Sequence, residues 1–261
     1  MTQLEVGQTV GVGWVSRSDL HSEESMRGDH NLSPGNEMTI VGRSGGFAEQ
    51  VKCQATWAIP LPDALDATAA GPLFCGGITV FNPLVQFDVK PTDRVAVIGI
   101  GGLGHLALQF LAKWGCEVTA FTSSGDKADE AKSLGAHYTV NSRDSSGWKA
   151  LRGKFDFILS TVAVDMDWKR IAATLAPRGR LHFVGLAPSA INVHVNDLMA
   201  QQRSVSSSPV GSPKVIADML SFCARHNIAP HIEQFPMAKI NEAMQHLEDG
   251  KARYRIVLVN E

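Results

Sequence analysis

The feature that most constrains this chain is a short apolar strand running straight into a glycine turn and then into a helix. Val95-Ala96-Val97-Ile98 leads into Gly99-Ile100-Gly101-Gly102-Leu103-Gly104, after which Leu103, Leu106, Ala107, Phe110, Leu111 and Trp114 recur at the spacing of one helix face. The first glycine permits the tight turn, and the second lets a pyrophosphate approach the backbone. The third lets helix and strand pack closely, and the helix N-terminus attracts the phosphates. A further apolar strand, CEVTAFT, follows the helix, so the motif has the context it needs. Gly99, Gly101, Gly102, Leu103 and Gly104 are therefore assigned to a dinucleotide.

The end of that second strand indicates which dinucleotide. An acidic residue about 20 positions beyond the glycines would hold the ribose 2′-hydroxyl of NAD. Here the strand ends Phe121-Thr122-Ser123-Ser124, with Asp126 and Lys127 close behind. Hydroxyls donate to a 2′-phosphate and an ammonium neutralises it, whereas a carboxylate would repel it. Ser123, Ser124 and Lys127 thus favour NADP(H), and Asp126 caps the following helix in either case.

Elsewhere the pattern changes along the chain. Residues 1–62 carry short alternating runs such as TVGVGW and FAEQVKC, which read as small antiparallel strands. From Asp63 onward helical stretches alternate with the apolar runs VAVIGI, CEVTAFT, FDFILST and RLHFVG, the mark of βαβ units and a parallel sheet. After the loop SSSPVGSP come helices near Lys214–Arg225 and Lys239–Glu248 and a last strand, YRIVLV. A formal net charge of -2 offers no basic field for nucleic acid, and no stretch approaches the ~18 apolar residues of a membrane span. Without a secretory signal pattern at the N-terminus, the cytoplasm is the expected location. Four scattered cysteines, Cys53, Cys75, Cys116 and Cys223, are expected to be reduced thiols.

GPLFCGGITVFNPL (residues 71 to 84), VIGIGGLGHLALQFLAKWGCEVTAFTSS and the closing GKARYRIVL resemble the cinnamyl alcohol dehydrogenase-like, NADP-dependent subfamily of zinc-type medium-chain alcohol dehydrogenases. The resemblance runs along nearly the whole chain. It implies an α/β fold: a Rossmann doubly wound parallel sheet with a partial GroES-like β domain. Residues 1–74 would be the remnant of the GroES-like catalytic domain, 75–209 the NADP-binding Rossmann domain, and 210–261 a C-terminal segment packing on the catalytic domain. The implied reaction is reversible reduction of a small-molecule aldehyde to a primary alcohol. The implied assembly is a homodimer joined through the last Rossmann strand, around Arg203–Ser207.

The same resemblance identifies what this sequence lacks. In the family a first Cys and a His-Glu pair precede the segment at which this chain begins, so the chain reads as N-terminally truncated. Only Cys75 matches a catalytic zinc ligand, and alone it is expected to be a small buried thiol at a helix start. The structural zinc lobe of the family has C-x2-C-x2-C-x7-C spacing, matched here by Asp19, Ser22, Ser25 and Ser33. Three neutral hydroxyls and one carboxylate do not hold zinc as four thiolates do, so bound zinc is expected to be absent. His21, Glu23, Glu24, Asp29 and His30 nearby read as a solvated polar loop, with a makeshift metal site as the alternative. The remnant sheet is expected to leave apolar surface uncovered, including Val12, Trp14 and Trp57.

By their match to family positions, Thr79, Thr161 and Val162 fall near the nicotinamide half, Gly185 and Ser207 near the carboxamide, and Arg255 near the pyrophosphate. Three functional readings stand at this stage: an NADPH-dependent aldehyde reductase, a non-catalytic NADP(H)-binding remnant of one, and a working protein longer than the chain from Met1.

Overall fold

The computed structural model describes residues 4–123, 125–144 and 146–260, without the side chains of Asp126 and Ser146. The chain divides into two compact units, residues 1–82 with 209–261 and residues 83–208.

The turn-rich N-terminal run yields only short strands. β1 (Val10–Gly11), β2 (Val15–Arg17), β3 (Glu37–Met38) and β4 (Ile59–Pro60) pair antiparallel as β1 with β4 and β2 with β3. FAEQVKC forms no strand, a correction to the sequence expectation; residues 47–53 instead follow an irregular path. Two helices here are equally short, α1 (Glu23–Met26) and α2 (Ala67–Ala70), and a longer one follows, α3 (Gly76–Gln86). The division between units falls inside α3, after Asn82.

Trp57 is also corrected. It is 1% exposed, its indole N–H donating to Ser18 Oγ at 3.0 Å, while Trp14 is 41% exposed as expected. Burying the indole with its one donor satisfied removes the cost that would otherwise keep it at the surface. Ile40, Val41, Phe47 and Val51 remain exposed on the irregular stretch.

In the second unit the apolar runs become a six-stranded sheet. Its elements are β5 (Arg94–Ile98), α4 (Gly104–Trp114), β6 (Glu117–Thr122), α5 (Asp126–Ser133), β7 (Tyr138–Asn141), β8 (Phe155–Ser160), α6 (Trp168–Ala173), β9 (Leu175–Phe183), α7 (Val195–Met199) and β10 (Ser204–Ser207). Strand order is β10-β9-β8-β5-β6-β7, every pairing parallel. Chain order reverses at β5, which lies between β6 and β8; a crevice at the carboxyl ends of such strands is where doubly wound sheets bind ligands.

Residues 95–98 of β5 are buried on both faces, which is why this strand reads as a continuous apolar run. Leu106, Phe110 and Leu111 of α4 are fully buried, each worth roughly 2 kcal/mol. Gly115 ends the helix in the left-handed region at φ 108°, and Cys116 N–H closes back onto Leu111 O at 3.1 Å. At the opposite end of the sheet from the glycine turn, Arg94 clamps Asp156 through Nε at 3.1 Å, Nη2 at 3.0 Å and its backbone N–H at 2.9 Å. Burial alone would raise the Asp156 carboxyl, but these hydrogen bonds outweigh it and hold the group below its usual range.

The chain then returns to the first unit through α8 (Pro213–His226), β11 (Ile232–Pro236), α9 (Ile240–Glu248) and β12 (Arg255–Val259). The expected last strand is present as β12 and pairs in parallel with β11. Phe222 of α8 meets Phe81 of α3 at 5.6 Å between ring centroids. The segment after 209 therefore shares one unit with the N-terminal residues.

Candidate functional site: a cavity at the reversal of the sheet

The glycines divide their labour. Gly99 sits at φ 88°, and a Cβ there would fall 2.4 Å from Val162 Cγ1. At Gly104 an added Cβ would fall 1.9 Å from the Gly99 carbonyl oxygen, so only glycine allows α4 to start so close to β5. Gly101 differs: a Cβ there meets nothing within 4 Å. Its missing side chain leaves open space rather than relieving a clash. Among the described residues no side chain caps the start of α4, so the helix dipole there is left to attract negative charge.

A cavity of about 630 Å³ opens at this point. Its walls come from the glycine turn, the ends of β6 and β7, and the segment after β8, and include Gly99, Gly101, Gly102, Leu103, Ser123, Lys127, Thr161 and Val162. These residues, singled out in the sequence at separate places, are thus brought together within one unit. Gly104 packs just beneath the turn, outside the lining. Ser124 lies outside the described residues. The N-cap position of α5 is taken by Gly125, and the side chain of Asp126, expected to cap this helix, lies outside those described.

Thr161 serves the backbone of the turn, its hydroxyl facing the carbonyls of Ile98 at 3.0 Å and Gly99 at 2.8 Å. It donates its one proton to this pair, stitching the end of β8 to the glycine turn. Gly185, beyond β9, serves close backbone approach, since a Cβ there would lie 2.3 Å from Val162 O. Gly185 and Ser207 do not line the cavity. Cys75, Thr79 and Arg255 belong to the other unit. Within it, Thr79 Oγ1 bonds back to Cys75 O at 2.7 Å, and Arg255 lines a separate cavity with Gly71, Pro72 and Tyr254. Cys75 is exposed, contrary to the expected buried thiol, because it stands at the joint between a 3-10 turn and α3 with its backbone outside both helices.

Sequence reasoning missed part of the wall. Ser142 and Arg143 after β7, Trp148, and Asp165, Asp167 and Arg170 after β8 also line the cavity. Asp165 is engaged by Ser189, through its N–H at 3.2 Å and its hydroxyl at 2.7 Å. Asp167 caps α6 by accepting from Arg170 N–H at 2.9 Å, and the Arg170 guanidinium lies 4.6 Å over the Trp148 ring. The signal that could have found them is strand order: the segment after β8 lies beside the turn after β5, and the segment after β7 lies beside the end of β6, once the sheet is wound.

The residues present fit a dinucleotide: open space at Gly101, an uncapped helix start, and hydroxyl and cationic groups at the end of β6. A three-ligand zinc is not matched by the donors. Among the described residues no group of three or more His, Cys, Asp or Glu is placed to hold a metal ion.

The lobe carrying Asp19, Ser22, Ser25 and Ser33 nonetheless closes. Ser22 Oγ and Ser33 Oγ meet at 3.3 Å, Ser25 Oγ and Ser33 Oγ both turn to the Asp19 carbonyl, the latter at 3.5 Å, and His21 N–H bonds Asp19 Oδ1 at 2.7 Å. Hydrogen bonds among the four positions hold the loop, with Ser25 and Ser33 each 4% exposed.

A family model described as zinc-binding dehydrogenase matches residues 102–225. The chain is 51% identical over 258 residues to the aldehyde reductase AdhA of Synechocystis sp., covering 99% of this chain and 77% of that protein. Among solved structures it resembles a cinnamyl alcohol dehydrogenase from Sorghum bicolor, with TM-score 0.89 and 30% identity over 98% of this chain and 76% of that one. It also resembles CAD from Helicobacter pylori complexed with NADP(H), with TM-score 0.86 and 27% identity over 98% and 76%.

Proposed function

This chain belongs to the zinc-type medium-chain alcohol dehydrogenases, and from that premise we propose that it binds NADP(H) in preference to NAD(H) at the cavity beside Gly101. The observation that carries this reading is the pairing of open space at Gly101 with Ser123 and Lys127 in the same cavity wall. The open space admits a pyrophosphate to the backbone, and the hydroxyl and ammonium suit a 2′-phosphate. That the Helicobacter pylori structure is a complex with NADP(H) supports the choice.

Bound NADPH supplies the hydride that reduces a carbonyl. The part assigned to this chain is to hold the dinucleotide: the start of α4 faces the pyrophosphate, Thr161 and Val162 fix the turn from behind, and Ser123 and Lys127 take the adenosine end. The likeness to an aldehyde reductase supports a small aldehyde as the family's substrate class. Because no group of three or more possible metal ligands includes Cys75 among the described residues, no step is assigned to zinc, and the chain is proposed as the cofactor-binding part of such an enzyme rather than a competent reductase. A two-fold pairing through β10, one of the two edge strands of the sheet, completes the reading, since edge pairing satisfies its exposed N–H and C=O groups in a closed dimer.

Fluorescence titration of the full chain with NADPH and NADH tests the cofactor reading. NADPH is expected to bind at least about tenfold more tightly, the value of one charge-assisted phosphate contact; equal or tighter NADH binding overturns it. Elemental analysis finding near one zinc per chain, with aldehyde turnover abolished by Cys75→Ala, would overturn the non-catalytic assignment. Light scattering at micromolar concentration showing a monomer would overturn the dimer.

A further inference from the structure

β6 and β7 end side by side at the edge of the sheet. Thr122 is in register with Asn141, and Ser142 N–H donates to Thr122 O at 2.7 Å. The residues that follow each strand, Ser123 on one and Ser142 and Arg143 on the other, therefore leave the sheet at the same level. Arg143 N–H then bonds Asn141 Oδ1 at 3.0 Å, a local turn that redirects the chain just after the strand. Ser123, Lys127, Ser142 and Arg143 all line the same cavity.

The carboxylates in that wall lie on one side of it. Asp165 and Asp167 stand on the segment after β8, with Arg170 close behind, and are engaged by Ser189 and by the start of α6. Lys127 and Arg143 lie at the β6–β7 end, and among the described residues neither takes part in an ion pair with a carboxylate. Two cations and two hydroxyls gathered at one end of a dinucleotide-sized cavity suit an anion, and the guanidinium fork matches the oxygens of a phosphate.

We propose that Arg143 is a specificity-determining residue: its guanidinium binds the adenosine 2′-phosphate of NADP(H) from the β7 side, opposite Ser123 and Lys127. This rests on the NADP(H) reading and extends it to a residue that the glycine motif and its following strand do not reach. The 2′-phosphate is then held between two strand ends rather than by one, and discrimination against NAD(H) depends on a loop remote in sequence from the glycine turn.

The test compares the full chain with Arg143→Ala and Arg143→Lys by isothermal titration with NADPH, NADH, 2′,5′-ADP and 5′-AMP, with thermal melts confirming that each variant folds. Because Arg143 is exposed, the melts are expected to coincide. Arg143→Ala is expected to raise the Kd for NADPH and 2′,5′-ADP by about tenfold to a hundredfold, the range for a hydrogen bond to a charged group, and to leave NADH and 5′-AMP within about twofold. Arg143→Lys should fall between, keeping the charge and losing the fork. If the unaltered chain shows no preference for NADPH, the NADP(H) reading fails and the role of Arg143 fails with it. If the preference is present and Arg143→Ala keeps it, or weakens all four ligands alike, the role of Arg143 alone is overturned.

Discussion

His182, fully buried in β9, should make the stability of the cofactor-binding unit depend on pH. Its ring lies between Phe87 and Phe157, at 5.0 and 6.0 Å between centroids, and its two nitrogens reach Ser206 Oγ at 2.9 Å and Ser208 Oγ at 3.0 Å. A neutral imidazole donates to one hydroxyl and accepts from the other, so it ties β9 to β10 with nothing left unpaired. Burial, with Arg180 adding to it, pushes the group down to about 4. The folded protein therefore binds fewer protons than the unfolded chain, whose His titrates near 6.5. The contribution is complete above that value and is lost as pH falls towards 4. Working through both titrations gives a loss of about 2 kcal/mol between pH 7 and 5, and about 3 kcal/mol by pH 4. Urea unfolding followed by tryptophan fluorescence at pH 7, 6 and 5, on the unaltered chain and on His182→Gln, isolates the effect. Carboxylates such as Asp156 titrate alike in both proteins and cancel. The stability gap between the two at pH 7 should shrink by about 2 kcal/mol at pH 5; a gap independent of pH would refute the reasoning.

Two further perturbations separate folding from binding. Gly101→Ala places its methyl in open space, so unfolding free energy should stay within about 0.5 kcal/mol while the Kd for NADPH rises at least about tenfold as the pyrophosphate loses its approach. Gly104→Ala drives its methyl into the Gly99 carbonyl at 1.9 Å and should cost about 3 kcal/mol or more by urea unfolding; a Gly104→Ala chain as stable as the original would contradict the packing described. Replacing Asp19, Ser22, Ser25 and Ser33 together by Cys should create a site holding about one zinc per chain by elemental analysis, because the loop already gathers these positions; a quadruple variant that takes up none would show that hydroxyl contacts do not preserve a thiolate geometry.

The parts of this fold that were legible in the sequence are those with local signals. β5, the glycine turn and α4 announce themselves by an apolar run, three glycines and a helical stripe, and the helices at 213–226 and 240–248 by periodicity alone. β7 carries too weak a signal, being four residues long and half-exposed. Its obscurity also hides Ser142 and Arg143, whose place at the site follows only from the pairing of β7 with β6. The buried state of Trp57 depends on Ser18, 39 residues away, a contact that no periodicity reports. FAEQVKC has the alternation of a strand but pairs with no neighbour among the described residues, and alternation without a ladder does not make one. Thr161 lines the cavity, and its hydroxyl also bonds the backbone of the turn, a contact that no motif reports.

The hydroxyl-closed lobe has a consequence for the conditions the protein tolerates. Four thiolates around a metal can be oxidised or stripped by a competing chelator, and the loop they hold would open when either happens. Ser22, Ser25 and Ser33 have no accessible redox couple, and the bonds they make with one another and with Asp19 are intramolecular. The closure of this loop is therefore independent of metal supply and of the thiol balance around it. Each of these hydroxyl contacts is worth roughly 1 kcal/mol, so the closure of the loop rests on several weak bonds acting together.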